Sequence, residues 1–178
     1  MAIKRQIFYS FHYYNDVFRV QLIRNIGSLE ENKPVSANDW EEVKKGGDKA
    51  IEKWINDNMK YRSCVVVLVG EETHKRPWVR YEIKKAWEEG KGVLGIYIHN
   101  FKCAKTVKDN PYSTGKCTQG KNPFSTFTIG GKDMASIVHC YNPNLNDALI
   151  VDATKWILRV LQNLFYLFCC KWHLAILA

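Results

Sequence analysis

Apolar positions along the chain switch between two periods in a regular rhythm. Ile7 to Tyr13 (IFYSFHY) is a β-prone run close to the first residue. Asn15 or Asp16 then offers a helix cap, and Val17, Phe18, Val20, Leu22 and Ile23 give the following helix an apolar side that fades at Asn25-Ile26-Gly27. Residues 28–45 are polar and irregular, with a short second strand expected near Val35. Gly46-Gly47-Asp48 opens a second helix, in which Ala50, Ile51, Trp54, Ile55 and Met59 recur at helical spacing. Cys64 to Val69 (CVVVLV) is unbroken and mostly β-branched, as in a strand covered on both faces. Pro77 suits the first turn of a helix running from Trp78 to Glu89, ended by Gly90 and Gly92. Val93 to Ile98 (VLGIYI) is a further strand.

Strands alternating with helices in this way predict an α/β fold with a doubly wound, mainly parallel sheet. Periodicity then disappears over about residues 100–131, which reads as an irregular insertion. Ile137 to Tyr141 (IVHCY) reads as an edge strand, and Asn144 to Gln162 as a helix. Residues 161–178 are strongly apolar, but Gln162, Asn163, Lys171 and His173 interrupt them. Those breaks favour a docked C-terminal helix over a membrane span. The expected organisation is one domain over 1–157 and an apolar helical extension over 158–178.

Composition adds little to this picture. The 178 residues are 46% hydrophobic, enough for a full core. The net charge of +8 is scattered in pairs such as Lys4-Arg5, Lys44-Lys45 and Lys84-Lys85. With no basic arm and no zinc-finger spacing, it reads as a basic surface and not as a nucleic-acid footprint. The first residues carry no signal-peptide pattern, which predicts a cytoplasmic protein. The six cysteines form no CxxC and are expected as free thiols.

Ligands of a doubly wound sheet bind outside the C-terminal strand ends, where the strand order reverses. In a flavodoxin-like order of 2-1-3-4-5 the loops at that point are Ser10-Phe11-His12-Tyr13 and Gly70-Glu71-Glu72-Thr73. The helix after the third strand starts beside the same crevice, and it holds an anomaly. Trp78, Val79, Ile83, Ala86 and Trp87 form one apolar arc, and Glu82 falls inside it, about 40° round from Trp78 and from Ala86. Glu is rarely buried without a partner. Periodicity alone leaves two readings level: a functional carboxylate, or a Glu at the margin of the arc paired with Arg80, Lys85 or a backbone amide.

Other chemistries find less support. His12 lies near Ser10 but no Asp partner completes a triad. The five histidines are too dispersed for a metal site. Gly46-Gly47 lacks both GxGxxG and GK[ST], so a nucleotide site would be of another kind. A phosphorelay receiver needs an acidic residue where the third strand ends Leu68-Val69-Gly70.

Taken together, the segments Ile7 to Tyr13, Phe18-Arg19-Val20, Arg24-Asn25, Trp40-Glu41, Arg76 to Ile83 (RPWVRYEI), Gly95 to Asn100 (GIYIHN) and Asn122-Pro123-Phe124 resemble the TIR-like (ThsB-like) proteins of bacterial Thoeris anti-phage defence. The resemblance covers roughly residues 3–157, and the apolar tail departs from the usual pattern. It implies a TIR-like, flavodoxin-like five-stranded sheet of order 2-1-3-4-5 with helices on both faces. It further implies NAD+ as substrate, with no separate cofactor or metal, and cleavage of the nicotinamide–ribose bond by a glutamate that here is Glu82. Ser10, Phe11 and His12 would line the crevice, Asp39 and Trp40 would lie in a mobile covering loop, and Trp78 and Tyr81 would shape a wall. Self-association into a homo-oligomer and a diffusible nucleotide signal to a separate effector are also implied. A non-catalytic TIR-type interaction module and a nucleoside deoxyribosyltransferase-like enzyme are the alternatives.

Overall fold

A computed structural model describes residues 7–12, 16, 19–20, 42–100, 103–104, 114–115 and 118–143. Its centre is a parallel sheet built from β1 (Ile7–Ser10), β2 (Cys64–Val69), β3 (Gly92–Tyr97) and β8 (Cys140–Tyr141), in the order β1-β2-β3-β8. Between these strands lie, among other helical residues, α1 (Gly47–Met59) and α2 (Pro77–Glu88). The continuous β-branched run is the central strand β2, buried at every position. The observed order matches the first, third, fourth and fifth strands of the expected sheet. The second strand near Val35 and the helix over 144–162 lie outside the described residues, as does the extension 158–178.

Side-chain alternation divides the core in two. Ile7, Cys64, Val66, Leu68, Leu94 and Ile96 face one side, where Val20 of the first helical segment packs on them. Phe8, Val65, Val67, Val69 and Val93 face the other, against Ile51, Ile55 and Met59 of α1 and Val79, Ile83 and Ala86 of α2. Helical residues thus cover both faces, as the two-sided apolar run of β2 requires.

Element ends differ from the sequence reading by a few residues. β1 stops at Ser10, so Phe11 and His12 belong to the loop. Asp16 is not a cap: its N–H donates to the carbonyl of His12 at 3.0 Å, which puts it inside the first helical turn. The last strand shrinks to Cys140–Tyr141, because residues 134–136 form a 3₁₀ turn before it.

The later part of the aperiodic segment is folded into the domain. Asn122 accepts from the Phe124 N–H at 3.0 Å and starts a 3₁₀ turn over Pro123–Thr126, which buries Phe124 fully in the second core. A small hairpin follows, β6 (Thr128–Ile129) with β7 (Lys132–Asp133), joined by Gly130-Gly131, both at positive φ. Another two-stranded ladder joins β4 (Cys103–Ala104) to β5 (Thr114–Gly115). Two-residue strands and 3₁₀ turns leave no trace at period 2 or 3.6, which is why this stretch reads as irregular.

Candidate active site

Parity along β1 decides which residues meet. Phe8 and Ser10 point to the α2 side of the sheet, while Tyr9 and Phe11 pack with the opposite core. Ser10 therefore ends β1 as a small polar residue on the face that α2 covers, beside Val67 of β2 in the register. α2 lays Val79, Ile83 and Ala86 on that face, with Glu82 between them. Glu82 is 7% exposed and Ser10 is 1% exposed.

Neither of the two cations that could have paired with Glu82 does so. Lys85 pairs with Glu89, and the Arg80 guanidinium lies 5.7 Å from the centre of the Phe127 ring. Among the described residues no ion pair involves Glu82. Burial without a counter-charge pushes its carboxyl up to about 8, and the Ser10 hydroxyl acts weakly in the opposite direction. That hydroxyl is near enough to influence the acid, yet makes no hydrogen bond of standard geometry. A buried carboxyl raised this far, with no ion-pair partner among the described residues, is a candidate functional acid.

Asp16 and Arg19, which the sequence analysis does not place at the site, form a buried polar cluster with Thr73 of the loop after β2. Asp16 is fully buried and pairs with Arg19, itself 3% exposed. Burial raises the Asp16 carboxyl, against the pull of Arg19 and the Thr73 hydroxyl. Thr73 Oγ1 accepts from the Gly70 N–H at 2.9 Å and donates to the Leu68 carbonyl at 3.3 Å. Gly70 lies directly against Asp16: a Cβ there would fall 2.2 Å from Oδ2. Gly120 in turn presses on Gly70, where a Cβ would meet the carbonyl oxygen at 1.9 Å. The Asp16 carboxylate, the loop after β2 and the segment at Gly120 are thus packed together by close approaches at Gly70 and Gly120 that leave no room for a Cβ. Such pairings join residues far apart in sequence and have no local signature.

The remaining expected residues are placed as follows. His12 is buried on the β1 loop, 6% exposed. Phe11 is half-buried against the core opposite α2. Trp78 is half-buried and meets Tyr81 edge-to-face at 5.7 Å. The Tyr81 hydroxyl lies 2.9 Å from Asn56 Oδ1 and 3.2 Å from Glu52 Oε1, and its single proton is shared between these two acceptors, so it ties α2 to α1. Asp39 and Trp40 lie outside the described residues. Cys64 and Cys140 are free thiols, as expected. Among the described residues no cluster of His, Cys, Asp or Glu is arranged to hold a metal ion, and no helix is long and apolar enough to cross a membrane.

The Tyr81 contact carries its own expectation. Tyr81→Phe removes this one shared, partly exposed hydrogen bond between the helices and should lower stability by about 1 kcal/mol, read from the urea midpoint at unchanged m.

Residues 8–102, which contain both crevice loops and all of α2, match the family model described as "Thoeris protein ThsB, TIR-like domain". The chain belongs to this family. A relative from Bacillus cereus (strain MSX-D12), named "Putative cyclic ADP-D-ribose synthase ThsB1", is 37% identical over 125 residues, 67% of this chain. The chain spans 61% of that relative's length. The TIR-like assignment agrees with the parallel sheet, and it covers the helix on which Glu82 sits.

Proposed function

We propose that this TIR-like domain cleaves NAD+ between nicotinamide and ribose and turns the ADP-ribose portion into a signal, in the manner the name of the Bacillus relative suggests. The observation that carries this reading is Glu82: a carboxyl buried without a counter-charge at the C-terminal end of a parallel sheet, beside Ser10.

The chemistry suits a single carboxylate. The nicotinamide ring of NAD+ is a cation, and it leaves as a neutral molecule. No acid is needed to protonate the leaving group, and no metal is needed to activate it. Positive charge moves onto the ribose in an oxocarbenium-like transition state. A carboxylate already fixed in a dry site stabilises that charge without reorganising. Ser10 is placed to orient Glu82 or a ribose hydroxyl, and His12 lies in the same loop. Trp78 and Tyr81 would contribute a wall, and Phe11 would reach a base only from the other side of β1. Asp39 and Trp40 belong to the proposal through the family resemblance alone. The fate of the ribosyl cation follows from the nucleophile admitted: water gives ADP-ribose, and the adenine base gives a cyclic isomer. Assembly into a homo-oligomer and an effector that reads a diffusible nucleotide belong to the same proposal.

Chromatography and mass spectrometry of NAD+ incubated with the purified chain test it. Nicotinamide should appear together with a product of ADP-ribose mass less one water, as cyclisation requires. Conversion of nucleosides with NAD+ left untouched would instead indicate a deoxyribosyltransferase-like enzyme.

A further inference from the structure

The start of α2 is built against the usual preferences of a helix N-terminus. Capping positions favour Ser, Thr, Asp or Asn, and the first turn favours acids. Here Arg76 occupies the cap position, Pro77 follows, no side chain caps the helix, and its first turn holds no acid. The N–H groups of Trp78 and Val79 are among those that no intrahelical carbonyl can reach. A cation at the positive end of a twelve-residue helix concentrates positive potential at one point.

Two side chains of this region hold buried nitrogens without a hydrogen-bond partner. Nε of Arg76 is buried and has no hydrogen-bond partner. His12, 6% exposed on the loop after β1, has an unpartnered Nδ1 and lies within the field of Arg76 and Glu72. The counter-charge now present is Glu72, whose Oε2 is 3.3 Å from Arg76 Nη2 on a part-exposed side, and which also pairs with Lys75. Glu71, Lys75, His74 and Lys121 complete the charged surroundings of this loop. From Pro77 to Glu82 the helix rises about 7 Å. One ribose bridges such a gap between a reacting anomeric carbon and a phosphate.

We propose that His12, Arg76 and the free N–H groups of Trp78 and Val79 form an anion subsite that takes the pyrophosphate of the dinucleotide, with Glu72 as the group displaced when it binds. This assignment rests on the reading of NAD+ as substrate. Helix N-termini bind phosphate through aligned N–H donors, and an adjacent guanidinium adds a charge-assisted contact. The site would orient the substrate so that its nicotinamide end reaches Glu82, and it explains an Arg where a cap residue should be.

The test uses the full chain and two probes. Inorganic pyrophosphate should bind the wild type, and Arg76→Ala and Arg76→Gln should weaken it by roughly tenfold or more. The His12 imidazole resonance, assigned with His12→Asn, should titrate at higher pH once pyrophosphate is present. Glu72→Gln should bind pyrophosphate more tightly than wild type. Glu82→Gln should bind it as wild type does, which separates the subsite from the chemistry. In turnover, Arg76→Gln should raise KM for NAD+ while kcat changes little, and should lose at least roughly tenfold less kcat/KM on nicotinamide riboside, which lacks phosphate. Pyrophosphate binding that depends on Arg76, in a chain that leaves NAD+ intact, would uphold the subsite and overturn the substrate reading. Active NAD+ cleavage with KM unchanged in both Arg76 variants would overturn the subsite alone. So would pyrophosphate affinity equal in wild type and variants.

Discussion

Glu82→Gln should abolish nicotinamide release from NAD+, by roughly 10²–10³-fold or more, while the far-ultraviolet circular dichroism stays that of the wild type. The substitution keeps the shape of the side chain and its place between Val79, Ile83 and Ala86, so the packing of α2 survives. On the proposed mechanism, what it removes is the negative charge that would offset the forming oxocarbenium ion. The size of the loss follows from where the charge sits. At 7% exposure no bulk water screens it, and no cation among the described residues neutralises it. The pH profile adds a second readout. In the free protein burial pushes the carboxyl up to about 8, so near pH 7 roughly a tenth of it is ionised. If the carboxylate is the working form, kcat/KM should climb with pH, pass half its maximum near pH 8 and level off about one unit higher. On the proposed reading the substrate would assist, because a pyridinium cation beside Glu82 would favour its ionised form and lower its pKa within the complex. Equal turnover by wild type and Glu82→Gln would remove this residue from the chemistry.

The residues that were legible in the sequence share one property: their role is written in a repeating local pattern. β2 stands out because a strand buried on both faces must be apolar throughout, and Cys64 to Val69 is. Glu82 stands out because it breaks an otherwise clean helical arc, and the structure does bury it. The loops Ser10–Tyr13 and Gly70–Thr73 follow once the strand order is assumed, since a parallel sheet puts its crevice at those ends. The illegible part is made of single contacts across the chain. Nothing near Gly70 says that Asp16 leans on it, or that Gly120 rests against its carbonyl. Phe124 reads as one aromatic in a polar stretch, yet it is fully buried, because a 3₁₀ turn aims it at the sheet. Tyr81 could be placed on α2 but not oriented, and its hydroxyl proves to reach Asn56 and Glu52 on α1. Arg76 showed its character only when the helix start became visible without a capping side chain.

The same arrangement makes Glu82 a liability to the fold, and the liability should be measurable as pH rises. Its folded-state pKa of about 8 lies above its ordinary value of 4.5, so the folded chain holds a proton that the unfolded chain releases. Below about pH 4.5 both states carry the proton, and the buried neutral acid is tolerated. Between about 4.5 and 8 the unfolded state gains by ionising while the folded state does not, and stability falls steadily. Above about 8 the loss is complete, at roughly 3–5 kcal/mol. Glu82→Gln carries no such proton. Denaturant unfolding of both proteins from pH 4 to 9 should therefore show a gap that is smallest in acid, opens in favour of the variant as pH rises, and levels off once Glu82 is ionised in the folded chain. Other shifted groups, among them His12 and Asp16, titrate in both proteins, and the comparison removes most of their effect. A gap that stays constant over the whole range would mean that Glu82 is already charged in the free fold, held by a partner that the described residues do not include.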